Sequence, residues 1–138
     1  MKNTIDAIKL LFQEFNSLAI NRIEKIPQSG SDRIYFRIYC ENNNTYIATY
    51  SNNIKENNTF IYFSKHFKNA GAPVPQVYAV NKTCDIYIQE DFGNNALLDV
   101  LEKEGPSDLV YDLFKKSLIA LANLQINGDK NLDYAQCI

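Results

Sequence analysis

The chain has 138 residues, of which 46% are hydrophobic and 22% charged. These fractions are typical of a globular domain and exclude a disordered segment. The 14 Lys and Arg residues and 16 Asp and Glu residues leave a formal net charge of −2. That balance argues against a general nucleic-acid binder, which needs an excess of cations on one face.

The cysteines and the apolar runs point to a cytoplasmic protein that does not enter a membrane. Cys40, Cys84 and Cys137 are widely spaced, and the single histidine, His66, has no cysteine near it in sequence. This pattern indicates reduced thiols rather than a zinc site or a disulfide framework. No apolar run approaches the roughly 20 residues of a membrane span, and the polar first residues are unlike a signal peptide.

The first half of the chain predicts one helix and three strands. Apolar residues at helical spacing predict an amphipathic helix that begins near Thr4 and ends at Asn16. Three alternating or β-branched segments follow, separated by turn formers, at 22–26, 33–39 and 45–50. Because they follow one another so closely, we expect an antiparallel meander.

A long helix is predicted next, followed by two more strands. With Asn53 as N-cap, Glu56 lies at the N3 position of a capping box, and Gly71 is placed to follow the end of the helix. The segments 76–80 and 85–90 then read as a hairpin. The predicted fold class is therefore α+β: a five-stranded, mainly antiparallel sheet with an N-terminal helix and a long helix after strand 3.

Beyond residue 92 the pattern becomes helical. A short helix is predicted at 96–104, and a longer one begins at Ser107 or Asp108 and ends at 127–128. We therefore divide the chain into an α+β part, 1–92, and a helical part, 93–138. The broad apolar face of the 109–126 helix predicts self-association, through side chains that include Leu113, Phe114, Leu118 and Leu121.

The segment Ser29–Arg33 is the most suggestive local feature. A hairpin loop with two serine hydroxyls and consecutive backbone N–H groups suits a phosphate, although a plain β-turn explains the same residues. Arg33 and Arg37 are four apart on a strand and hence share a face. They could steer a polyanion or remain in solvent.

Three strings in this order resemble the aminoglycoside phosphotransferase and choline kinase-like family, closest to its branch of amino-sugar kinases. They are IPQSGSDRIYFR at 26–37, AGAPVPQV at 70–77 and IYIQEDFG at 86–93. The first resembles the family's first hairpin, the second the segment before its fourth strand, and the third its fifth strand and linker. The resemblance spans about residues 1–126.

The resemblance implies a protein-kinase-like fold whose small lobe binds ATP with Mg²⁺ and whose large lobe begins with the two predicted helices. The implied activity is phosphoryl transfer to a hydroxyl of a small polar substrate, such as an amino sugar. The implied nucleotide loop is Ser29, Gly30 and Ser31, and the implied hinge, which meets adenine through its main chain, is Glu90, Asp91 and Phe92. Glu56 matches the helix glutamate that pairs with a strand-3 lysine.

The lysine itself is missing, because its position holds Thr49 or Tyr50. We therefore expect the phosphate charge to be met by Arg33, Arg37 or Lys55, and include Arg33 among the cofactor-binding residues. Glu56 is equally well explained as part of the capping box.

The family's catalytic loop, of the form His-x-Asp-x-x-x-x-Asn, is also missing. Asn131-Leu132-Asp133 resembles part of it, but Ile138 stands where the asparagine would be. We identify no catalytic residue and no metal ligand, and expect this chain alone to be inactive. Three explanations stay open: a truncated phosphotransferase, a complete small binding or regulatory module, and an unrelated β-domain.

Overall fold

The computed structural model describes residues 2–28 and 30–137. Its elements, in chain order, are α1 (Lys2–Phe15), β1 (Ile20–Lys25), β2 (Ile34–Cys40), β3 (Thr45–Tyr50), α2 (Ile54–Asn69), β4 (Val77–Val80), β5 (Ile86–Glu90), α3 (Leu97–Glu104) and α4 (Asp108–Gly128), followed by a 3₁₀ turn, Tyr134–Gln136. The predicted α+β fold class is confirmed.

The strands form one antiparallel sheet in the order β1-β2-β3-β5-β4. Helix α2 connects β3 to β4, which lies at the edge beyond β5. Two rows of cross-strand neighbours lie on the same face of the sheet. Tyr35, Thr49 and Tyr87 are cross-strand neighbours in one row, and Arg37, Ile47 and Gln89 are neighbours in the next.

One face of the sheet is apolar and is covered by α1. Ile8 and Phe12 of α1 are fully buried against alternate residues of the central strands, namely Phe36, Ile38, Ala48 and Ile88. Burial of this apolar surface is the main favourable term for the fold. The helix begins at Lys2 rather than near Thr4, because its first turn precedes the apolar stripe on which the prediction relied.

Helix α2 covers part of the opposite face and has the predicted ends. The Asn53 side chain accepts a hydrogen bond from the Glu56 N–H at 3.2 Å, and Gly71 follows the helix with φ of +84°. Its most buried residues are polar: Asn57, Thr59 and Ser64. Asn57 donates to the carbonyls of Ser51 and Cys84, at 2.9 and 2.8 Å, and so joins the helix to the sheet.

The segment after α4 returns to α2. Three α2 side chains, one turn apart, bind the backbone of this segment or of the last residue of α4. Thr59 donates to the Gln136 carbonyl (2.9 Å), Tyr62 accepts from the Asp133 N–H (2.7 Å), and His66 Nε2 lies 2.7 Å from the carbonyl oxygen of Gly128, which ends α4. The histidine is half-buried. These bonds fasten the end of the described chain along one side of α2.

The described part of the chain contains no helix that is both long and apolar enough to cross a bilayer. The cysteines are free thiols; Cys40 is buried in the α1-side core, and the other two are partly buried.

Gly128 gives a test of the packing between α2 and α4. A Cβ at this residue would lie 2.7 to 2.8 Å from the Phe67 ring, which is held between Phe63 and His66. Alanine normally stabilises a helix relative to glycine by about 0.5–1 kcal/mol, but here overpacking should dominate. We expect Gly128→Ala to lower the free energy of unfolding by about 1–3 kcal/mol in urea titrations.

Its control is Asn127→Ala, at the exposed neighbouring position of the same helix. This change should leave stability within about 0.5 kcal/mol. A Gly128→Ala protein as stable as wild type would contradict the packing described here.

Candidate functional site

The candidate site is the face of the sheet opposite α1. Ala48 and Tyr50 pack toward the α1 core, so the alternation of β3 places Thr49 on the other side. Thr49 is fully buried there, beside Tyr87, whose ring stacks on Phe60 of α2 with centroids 5.3 Å apart. The position at which the sequence resemblance expects lysine and that faces α2 is therefore Thr49, not Tyr50.

A cation reaches this place from a different strand. Arg33, immediately before β2, forms an ion pair with Glu56 of α2, with 2.7 Å between Nη2 and Oε1. The guanidinium also lies over the Phe60 ring, 5.2 Å from its centroid. The Arg33 side chain is only 13% exposed, so it does not remain in solvent.

Glu56 contributes both to the start of α2 and to an ion pair. Its N–H is bound by the Asn53 side chain, and its Oε2 accepts from the Asn53 side-chain amide at 3.1 Å. The reciprocal bond of a strict capping box is absent, because the Asn53 N–H donates to Ser51 Oγ instead. The remaining oxygen pairs with a cation, which is Arg33 rather than a lysine.

Several buried polar atoms on this face have no hydrogen-bond partner in the described part of the chain. They are Arg33 Nε, Thr49 Oγ1, Tyr87 OH and Gln89 Oε1. Buried polar atoms are nearly always hydrogen-bonded in native proteins, so these atoms are exceptional, although each is inaccessible to solvent. The Thr49 and Tyr87 hydroxyls belong to residues that are neighbours in one cross-strand row. Sequence reasoning missed Tyr87 and Gln89, although their alternation with Ile86 and Ile88 was a usable signal.

The environment of Tyr87 is strongly desolvated. Burial raises the pKa of its hydroxyl to about 12, against the opposing effects of the Arg33 charge and the neighbouring Thr49 hydroxyl. Tyr87 is therefore neutral at physiological pH and can donate a hydrogen bond.

The loop between β1 and β2 borders this face, as the sequence predicts. Gly30 has φ of +63°, and Ser31 Oγ accepts from the Arg33 N–H at 3.2 Å. The Gln28 side chain donates to the Arg33 carbonyl at 3.3 Å. Ser29, also predicted to contact phosphate, lies outside the described residues. The Ser31 hydroxyl thus has a role within the turn.

At the other end of the site, the predicted hinge residues differ in their surroundings. Glu90 accepts from the Gln76 N–H (3.0 Å) and Lys68 Nζ (3.2 Å), and these interactions hold the pKa of its carboxyl below the usual value. Asp91 is nearly buried and pairs with Arg37, whereas Phe92 is 60% exposed. The side chains of Glu90 and Asp91 thus have partners within the fold, whereas the family resemblance implied a role for the main chain of this segment only.

A nucleotide and a magnesium ion fit this site differently. The unpartnered Arg33, Thr49, Tyr87 and Gln89 atoms are of the donor and acceptor types that a nucleotide binds, although they are inaccessible to solvent in this structure. Within residues 2–28 and 30–137, by contrast, no group of three or more His, Cys, Asp or Glu side chains is arranged to hold a metal. Lys55 is exposed on the first turn of α2.

No protein-family model matches the chain, and no curated protein matches it either. The family resemblance therefore rests on the three sequence strings.

The raised pKa of Tyr87 predicts a loss of stability in alkali. An unfolded tyrosine ionises near pH 10, so between about pH 10 and 12 the unfolded state loses the proton first and stability falls as pH rises. Over this range the free energy of unfolding of the wild type should fall by on the order of 2 kcal/mol, and this fall should be absent in Tyr87→Phe. Urea titrations at several pH values measure both.

Tyr111→Phe is the control, because Tyr111 is 72% exposed and should not change the alkaline loss. Equal pH profiles for wild type and Tyr87→Phe would show that Tyr87 is not desolvated as described.

Proposed function

We propose that this chain is the nucleotide-binding part of an ATP-dependent phosphotransferase with a protein-kinase-like fold. The whole enzyme would transfer the γ-phosphoryl group of ATP to a hydroxyl of a small polar substrate, an amino sugar or an aminoglycoside-like compound. ADP leaves, and the hydroxyl proton passes to a carboxylate base. In this proposal the protein is cytoplasmic, in keeping with its free thiols.

The ion pair between Arg33 and Glu56 carries the proposal. A kinase of this kind needs a cation near the phosphates, oriented by a glutamate of the helix that follows strand 3. Here the strand-3 position holds Thr49, and the Arg33 guanidinium pairs with the α2 glutamate instead. Its buried Nε–H has no partner among the described residues, and we assign this donor to a phosphate oxygen.

The rest of the face suits the nucleoside. Thr49, Tyr87 and Gln89 present buried polar atoms toward the side on which α2 lies. Beyond β5, we assign the contact with the edge of a purine to the main chain of Glu90, Asp91 and Phe92, of which the Glu90 N–H already donates to the Gln76 carbonyl at 2.9 Å. Gly30 and Ser31 lie in the loop beside Arg33, at the phosphate end of the proposed site.

We further propose that this chain alone does not complete the transfer. Among the described residues, no three His, Cys, Asp or Glu side chains are grouped to hold a metal, and the catalytic loop that the family resemblance implies is missing from the sequence. The role that we propose for the chain is therefore binding and orientation of the nucleotide. In the whole enzyme, Mg²⁺ would neutralise phosphate charge.

Binding measurements test the proposal. We expect NMR titration of the chain with MgATP and with adenosine to shift resonances of Tyr87 and of residues 90–92. Arg33→Met should weaken MgATP binding about tenfold or more, since a charge-assisted hydrogen bond is lost. It should change adenosine binding little, because adenosine has no phosphate.

Arg22→Met is the matched control. Arg22 is a paired but largely exposed arginine on β1, and its loss should alter neither affinity. Absence of binding of both ligands to wild type would refute the proposal. ADP production by the unaltered chain with an amino sugar would show that the catalytic residues have been misplaced.

The exposed side of α4 supports a second proposal, that the isolated chain self-associates. Of the four residues predicted to form the contact, Phe114, Leu118 and Leu121 are exposed and Leu113 is half-buried. Leu109, Tyr111, Ile119 and Ile126 extend the exposed apolar surface along the helix. Apolar patches of this kind mark interaction sites.

Analytical ultracentrifugation over a range of concentrations tests the self-association. Wild type should show a concentration-dependent dimer, and Leu118→Glu should remain monomeric because a carboxylate would be buried at the contact. Asn123→Glu, an equal charge change at an exposed α4 position, should still dimerise. A wild-type monomer at the highest concentration would contradict the proposal.

A further inference from the structure

A single arginine contacts most of the segment that joins the sheet to the helices. We name Asp91–Asn94 the linker. The Arg37 guanidinium binds both Asp91 carboxylate oxygens, through Nε at 2.7 Å and Nη2 at 3.1 Å. Its Nη2 also donates to the Gly93 carbonyl at 3.2 Å, and its Nη1 donates to the Asn94 side-chain oxygen.

The pair is well shielded from water. The Arg37 side chain is 13% exposed and that of Asp91 3%. Burial alone would raise the pKa of Asp91, but the Gly93 N–H and the Arg37 guanidinium outweigh it and hold the pKa below its usual value. Both groups are therefore charged at neutral pH.

A buried ion pair is poor evidence for a purely stabilising role. Desolvation of two charges offsets most of their attraction, and apolar residues of similar size often stabilise a protein as well or better. A bidentate pair does fix the relative position of its two partners, because the planar guanidinium fork binds a carboxylate in one arrangement.

Arg37 lies where this fixed arrangement can connect the sheet to the linker. Arg37 is in β2, in the same cross-strand row as Ile47 and Gln89, so its backbone is held by the middle of the sheet. Asp91 follows β5 directly and also accepts from the Gly93 N–H at 2.8 Å. The Arg37 side chain thus connects β2 to the linker, which follows β5, the second strand from β2 in the sheet. The position of the linker therefore depends on that of the sheet.

We propose that Arg37 is a positioning residue that holds the linker in one conformation and so presents the main chain of residues 90–92 to the base of a nucleotide. The identity of the ligand rests on the proposed function. The role differs from that of Arg33, which lies at the phosphate end. Loss of Arg37 should therefore weaken adenosine and MgATP binding by the same factor.

Arg37→Lys tests the proposal, because it keeps the charge and loses the fork. We expect hydrogen exchange of the Gly93 amide, which donates to Asp91, to become about tenfold faster by NMR, while exchange in β3 is unchanged. Adenosine and MgATP affinities should both fall about fivefold or more. Arg22→Lys, at the exposed pair on β1, should change neither quantity.

Asn94→Ala is a second variant, because it removes one partner of Arg37 and leaves the buried pair intact. It should accelerate exchange of the Gly93 amide by a smaller factor. Unchanged exchange in both variants, or an Arg37→Lys protein that binds adenosine as wild type does, would overturn the proposal. If wild type binds neither ligand, the proposed function is wrong, and the exchange result alone decides whether Arg37 holds the linker.

Discussion

A charged side chain can be buried on a β-sheet only if it meets a partner of opposite charge, and this requirement organises the side of the protein that faces α2. Arg33 and Arg37 both lie on this side with only 13% of each side chain exposed. Each is paired with a carboxylate from another part of the fold. The two pairs therefore determine where the first turn of α2 and the linker lie relative to β2.

The division of the sheet into two unlike faces follows from the same constraint. On the α1 side, apolar residues pack without directional demands. On the α2 side, the fully buried residues include polar ones, Thr49 of the sheet and Asn57 of the helix, beside the aromatic Tyr87. A face of this kind suits recognition of a polar ligand better than it suits cohesion, which is why the proposed nucleotide site is placed there.

Several elements could be predicted closely because short-range signals define them. Asn53 caps α2, and β3 spans the predicted residues 45–50. The ends of α1 and β1 were less accurate, since neither has a capping or turn residue at its start. The partner of Glu56 could not be stated once the strand-3 lysine was found to be missing, because a sequence pattern does not tell which cation reaches a carboxylate from another strand.

The sequence by itself determined the α+β class, the order of the elements and the loop between β1 and β2, because periodicity, caps and turn formers are local properties. Only the tertiary structure decided that Arg33 meets Glu56 and that Arg37 meets Asp91. The second pair joins residues 54 positions apart. The distance between such groups is set by the register of β2, β3 and β5, which depends on how the whole sheet packs against α1.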